Sequence, residues 1–281
     1  MFASALLGKV GYPEAVNVRR PAVAGRFYPG DPDKLRADVD GYLSSVDGEV
    51  RDVAGVMAPH AGFVYSGSTA AQAFARVRVP KRVIILCPNH TGRGARISVY
   101  GKGSYRIPGA EIPIATDLAD RILVEVVGSK HDYKAHADEH AVEVELPFLL
   151  ARQPDLEIVP IVLSGLSESE AIDLGHALHR AVGDDDVLVV ASSDMSHFLT
   201  EDEARKVDHQ ALEPLLNFDP SGLYRVVREN DISMCGYIPA TAMLSYAADR
   251  GASTPELVAY TTSGEAFGDF SRVVGYASVL V

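Results

Sequence analysis

Long apolar runs, cysteine and positive charge are what this chain is short of, and each shortage removes a class of function. It has no run of 18 consecutive apolar residues, so no membrane-spanning helix is expected. The opening stretch MFASALLGKV is too short and too weakly organised for a secretory signal. The two cysteines, Cys87 and Cys235, permit at most one disulfide and match no zinc-finger spacing. Such usage fits a reducing cytoplasm. Asp and Glu number 38 against 26 Lys and Arg, and the resulting charge of −12 argues against a nucleic-acid-binding surface. Internal repeats, low-complexity tracts and dividing linkers are also lacking.

What is present is the make-up of a globular α/β protein. At 281 residues and 47% hydrophobic, the chain is expected to form a single domain over 1–281, with residues 1–20 as a peripheral lead-in. Short continuous apolar runs at Val53–Ala58, Arg82–Leu86, Ile158–Leu163 and Val187–Ala191 predict strands covered on both faces. Helical patterns fall at Pro32–Leu43, Ser68–Val77, Asp117–Val127, Ala141–Arg152, Ser167–Val182, Glu201–Leu216 and Tyr237–Ala248. Ser167 with Glu170 has the form of a capping box. Leu257–Thr262 and Val273–Leu280 suit closing strands, and Gly101–Pro113 reads as a hairpin or an excursion near the site. Alternating helices and strands predict a mixed, largely parallel central sheet flanked by helices.

Reactive side chains recur just beyond the apolar runs. His60 in VMAPHAGFVYSG and His90 in VIILCPNHTG share one grammar: strand, proline, histidine, glycine. Either alone could be a turn residue. In an open α/β sheet, however, both turns reach the carboxyl edge where ligands bind, and two imidazoles there can meet at one ion. A hydroxyl cluster (Tyr65, Ser66, Ser68, Thr69) follows His60 and suggests an anion site at a helix start. Asp194 and His197 in VLVVASSDMSHF follow a third run; the aspartate reads equally as a helix cap or as a ligand or base. Cys235 in SMCGYIPAT precedes a helix whose N-terminus would stabilise a thiolate, although most cysteines so placed are merely small and buried. In HADEHAVEVELPFLL, His140 is a candidate to line the site and Glu143 a weaker one, while much of the acid run reads as a solvated helix start. The order is not HExxH, so no zinc-peptidase reading follows.

Taken together, the stretches RRPAVAGRFYP, APHAGFVYSG, LCPNHTG, EHAVEVELPFL, SSDMSHF, MCGYIP and TSGEAFGDFSRVVGYAS resemble the Memo family, and within it the prokaryotic branch called AmmeMemoRadiSam system protein B. The resemblance implies a fold similar to class III extradiol dioxygenases, non-haem iron enzymes that cleave aromatic diols. It implies a metal held by His60, His90 and Cys235, with Asp194 as the alternative third ligand. His197, Asp194 and His140 would then act on the substrate. Iron (Fe2+) is the expected cofactor, with copper or zinc as alternatives. The true dioxygenases complete their triad with a glutamate that this chain does not obviously supply. The expected activity is that of a metal-dependent, dioxygenase-like oxidoreductase acting on a small molecule. The alternative is a non-catalytic protein that captures a peptide or small anion in the same pocket. The family association also points to an AMMECR-type protein and a radical SAM protein as partners.

Overall fold

The computed structural model describes residues 17–252 and 254–281. Strand β1 (Val18–Arg19) and helix α1 (Pro32–Ser44) lead into β2 (Gly55–Ala58), α2 (Phe63–Phe74) and β3 (Arg82–Pro88). Next come β4 (Ile97–Val99), β5 (Ser104–Ile107), β6 (Ala110–Pro113), α3 (Thr116–Glu125) and β7 (Ser129–His131). The middle of the chain forms α4 (Ala141–Arg152), β8 (Glu157–Leu163), α5 (Glu168–Val182), β9 (Val187–Ser192) and β10 (His197–Leu199). It closes with α6 (Glu201–Leu216), α7 (Pro220–Glu229), α8 (Tyr237–Asp249), β11 (Glu256–Thr262), α9 (Gly264–Phe267) and β12 (Val273–Leu280).

The main sheet runs β10-β12-β2-β9-β3-β8-β4-β7, with β11 paired to the other edge of β12. Its centre, β2-β9-β3-β8, is parallel, while β12 and β4 join antiparallel. The sheet is therefore mixed and largely parallel at its core, as the sequence pattern predicts. Every residue of β9 is buried, as is all of β3 beyond Arg82, because helices cover both faces. Helices α2 and α4 pack on one face and α8, backed by α5, on the other. Each fully buried Val, Ile or Leu in these strands contributes roughly 1.5–3 kcal/mol. Gly175 is needed where α5 meets α8: a Cβ there would strike the Ala242 carbonyl and the Ser245 side chain.

Two departures from the sequence reading matter for the site. Helix α2 begins at Phe63, five residues before the expected Ser68, because Gly62 is its N-cap and offers no side-chain signal. The hydroxyl cluster therefore lies within the helix rather than at an anion-binding start. Helix α7 was not anticipated at all; Asp219 caps it by accepting from Gly222 N, with Pro220 at its first position. The Gly101–Pro113 stretch does form a hairpin, β5–β6, and β1 adds to it in parallel as a separate three-stranded sheet. The capping box of Ser167 and Glu170 is present.

Candidate metal centre

The parallel register brings the predicted turns together. Ala58 of β2 pairs with Ser192 of β9, so the two strands leave the sheet side by side. Asp194 Oδ1 then accepts from the His60 backbone amide at 2.9 Å. The His60 ring is buried (1% exposed), with Nδ1 2.8 Å from Ser192 Oγ and Nε2 3.3 Å from Cys235 Sγ. Asp194 Oδ2 lies 4.0 Å from that same Nε2. Beyond β3, Asn89 Oδ1 accepts from the Thr91 and Gly92 amides and holds the turn that presents His90.

Glu139 organises the rest. Its Oε2 accepts from His90 N at 2.6 Å, and its Oε1 lies 2.9 Å from His90 Nδ1 and 3.4 Å from His140 Nδ1. His140 is the N-cap residue of α4, and its ring stacks on that of His90 with centroids 4.7 Å apart. Among the described residues, the ligand atoms of His60, His90 and His140 all lie within 4.8 Å of one another.

The electrostatics suit ligation. Burial, then repulsion from His90, lowers His60 to about 3. Burial, then repulsion from His60, lowers His140 to about 4. Both rings are therefore neutral at physiological pH, the form that binds a cation. Burial also opposes a charge on His90, but the hydrogen bond and charge of Glu139 outweigh it and its pKa rises. Glu139 is pushed up by burial, yet the His90 hydrogen bond and charge bring it down to about 2. Burial raises Asp194. Burial and the Asp194 charge also raise the Cys235 thiol, against the lowering that a helix N-terminus alone would give.

The three rings open onto a cavity of about 630 Å³. Asp194 and His197 line it too, while Cys235 sits behind His60, outside the lining. Gly236 allows that close placement, since a Cβ there would strike the Ser192 carbonyl and the Ser193 side chain. His197 Nδ1 is 2.9 Å from the Ser233 carbonyl, which can only accept, so Nδ1 is the donor there and Nε2 is the ring nitrogen left uncommitted. Arg26, Arg272, Phe27, Tyr65, Phe198 and Phe267 form the mouth.

Of the candidates from the sequence, His60, His90, His140, Asp194, His197 and Cys235 thus stand at this edge of the sheet, with His140 joining His60 and His90 in the close trio, and the weaker candidate Glu143 does not. Sequence reasoning missed Glu139 and Glu145. The acid run was expected to be solvated, yet Glu139 is 1% exposed and Glu145 is wholly buried. Glu143 does not reach the site; it binds Arg19, Tyr28 and the Ala22 and Val23 amides. One signal was available: Ala141–Leu149 is apolar apart from its two glutamates, and a helix apolar all round is buried, so those glutamates must be buried with it.

Fold and site together define a mixed α/β protein that gathers three histidines, able to hold a metal ion, at the carboxyl edge of a parallel sheet. The model of the Memo-like protein family matches residues 19–280, and the chain belongs to that family. A MEMO1 family protein of Methanobrevibacter smithii is 40% identical over 277 residues, covering 93% of this chain and 98% of its own length. Another from Aquifex aeolicus is 37% identical over 267 residues, covering 94% and 99%. Among solved structures, the crystal structure of uncharacterized protein JW3007 from Escherichia coli K12 superposes with a TM-score of 0.59 at 13% identity. It covers 81% of this chain and 98% of that one, a likeness of fold alone.

Proposed function

We propose that this protein is an iron-dependent, dioxygenase-like oxidoreductase that uses the three-histidine pocket to act on a small molecule. The observation that supports it most is how the imidazoles are held. His60 and His90 each commit Nδ1 to a hydroxyl or carboxylate, which fixes the ring and leaves Nε2 for a cation. Histidines of a purely structural cluster have no need of such orientation beside an open cavity. His60, His90 and His140 would hold the ion, with Asp194 and Cys235 close enough to His60 to complete the set. Imidazole suits iron, copper and zinc alike, and the adjoining carboxylate favours iron. When bound, iron would supply Lewis acidity and electron exchange toward an oxygen-donor substrate. The chain itself supplies His197, whose uncommitted Nε2 can take a substrate proton, and aromatic side chains at the mouth that can pack against a substrate. Both cysteines are free thiols, which supports a reducing compartment.

A second reading, capture of a small anion without catalysis, is favoured by the rim. Arg26 and Arg272 stand at the mouth of a protein whose net charge is −12, with aromatic rings between them. Protein purified anaerobically without chelator should carry close to one iron per chain, lost in His60→Ala and His90→Ala. Wild-type iron below about 0.1 per chain, with copper or zinc in its place or no metal at all, overturns the iron reading. A filled site with no oxygen uptake across a panel of aromatic diols would transfer the pocket to the anion-binding reading.

A further inference from the structure

Ser192 closes β9, and its hydroxyl lies between two buried groups. It is 2.8 Å from Nδ1 of His60 and donates to Oε1 of Glu145 at 2.6 Å. A weaker acceptor, the Ala141 carbonyl, stands 3.4 Å away. The other oxygen of Glu145, Oε2, has no hydrogen-bond partner among the described residues. An isolated carboxyl so deep in the protein costs stability, and an apolar residue of similar size would avoid that cost. Among the described residues, its one side-chain hydrogen bond is to Ser192, which leads to His60.

We propose that Glu145 and Ser192 are positioning residues that fix the His60 ring with its proton on Nδ1, leaving the lone pair on Nε2, the nitrogen beside Cys235 and Asp194. The reasoning is a count of hydrogens. A hydroxyl has one hydrogen to give. With Glu145 ionised and able only to accept, that hydrogen goes to Glu145 or to Ala141 and leaves only lone pairs toward His60, so Nδ1 must be the donor. A neutral imidazole carries one ring proton, and Nε2 is then bare. If Ser192 instead donated to Nδ1, the ring proton would sit on Nε2 and block ligation there. Glu139 holds Nδ1 of His90 directly, whereas His60 is held through an intervening hydroxyl.

The consequence for metal binding rests on the reading above, but the ring tautomer does not. The test is nitrogen-15 spectroscopy of histidine-labelled, metal-free protein, with His60→Gln to assign the signal. Burial raises Glu145 to about 8, so the spectra belong at pH 9, where it is ionised and only accepts. Wild type and Ser192→Thr are expected to show Nδ1–H and a bare Nε2. In Ser192→Ala the acceptor is gone, and the Nε2–H form should rise to about half or more, since a free imidazole populates both tautomers. Glu145→Leu should fall between, because Ala141 remains as acceptor. Zn2+ affinity measured by calorimetry should drop about 10- to 100-fold in Ser192→Ala.

Nε2–H in the wild type overturns the proposal, as does a Ser192→Ala variant that matches wild type in both measurements. Glu145→Leu indistinguishable from wild type removes Glu145 from it. A wild type with Nδ1–H that binds no Zn2+ supports the tautomer and overturns the metal reading instead. Should Ser192→Ala fail to fold, the wild-type spectrum decides alone.

Discussion

Helix α4 buries two glutamates two residues apart, and their surroundings are opposite. Glu143 faces the N-terminal segment, where it accepts from Arg19, from Tyr28 and from the Ala22 and Val23 amides. Arg19 is completed by the His136 and Glu139 carbonyls. Glu145 faces the end of β9 and, among the described residues, has one hydrogen bond and an unpartnered oxygen. In the segment that follows β9, the Ser196 hydroxyl has no partner among the described residues, and Phe198, which lines the cavity, adopts a left-handed backbone at φ 64°. One side of the helix is closed and satisfied; the other leaves a buried carboxyl short of partners, one serine away from a cavity-lining histidine. That contrast separates a structural use of buried charge from a functional one.

The largest effect should come from breaking the closed side. Glu143→Ala leaves the Arg19 guanidinium buried without its carboxylate and is expected to cost about 3–5 kcal/mol. Urea unfolding measures this, and Glu143→Ala combined with Arg19→Met should recover a large part of the loss. A cost below about 1 kcal/mol would mean that the closed network contributes nothing special.

The sequence disclosed these two sides unequally. Continuous apolar runs made β2, β3, β8 and β9 legible, and because ligands gather at the carboxyl edge of such strands, His60, His90 and Asp194 were legible too. Partner choice among buried charges was not. The pattern E-H-A-V-E-V-E does not say that Glu139 turns back to two histidines, Glu143 meets an arginine 124 residues away, and Glu145 meets a serine on β9. Those pairings depend on sheet order and crossover, which one-dimensional periodicity does not encode. The same holds for the rank of His140, which the resemblance placed behind Cys235 as a ligand and the geometry places in the close trio.

Acid should weaken both sides at once. His60 and His136 are buried and His140 is half-buried, and all three are held as neutral rings, at about 3, 4 and 4, below their ordinary 6.5. The unfolded chain therefore binds protons that the folded one refuses, and stability falls as pH drops below 6.5, down to those folded values. His90, raised by Glu139, acts in the opposite sense: its contribution is complete below 6.5 and is lost as pH rises through its folded value. Between pH 7 and pH 5 the net loss is expected to be about 3 kcal/mol, less than the sum over isolated groups because the rings interact. Added Zn2+ should restore the cavity-side share at pH 6 and leave that of His136 untouched. A flat stability profile over this range would show that the rings are not buried neutral.

Glu145 should reverse that trend on the alkaline side. Its folded pKa of about 8 stands above the ordinary 4.5, chiefly through burial, so the folded state holds the proton more tightly. Stability is then lost as pH rises from about 4.5 through 8, the opposite of a paired carboxylate. Glu145→Gln removes the charge, and at pH 9 it should be more stable than wild type by about 1–3 kcal/mol, with little difference at pH 5. The same substitution at Glu143 should destabilise at both pH values. Parallel pH dependence in the two variants would erase the distinction between the sides of α4.

The smallest effect, and the most local, concerns Phe198. The residue is 61% exposed at the cavity mouth, with its ring under the Arg272 guanidinium at 4.8 Å, while its backbone is left-handed. A phenylalanine in that conformation costs about 1–2 kcal/mol relative to an unstrained residue. Truncation to alanine keeps the strain and loses the ring, whereas glycine loses the ring and relieves the strain at some cost in chain entropy. Phe198→Gly should therefore be more stable than Phe198→Ala by about 1 kcal/mol, the reverse of their usual order outside such a conformation. Thermal unfolding of the pair reads that difference directly. Equal stabilities would mean that β10 relaxes when the ring is removed, and that the tension on the cavity side resides in Glu145 and not in the backbone beside His197.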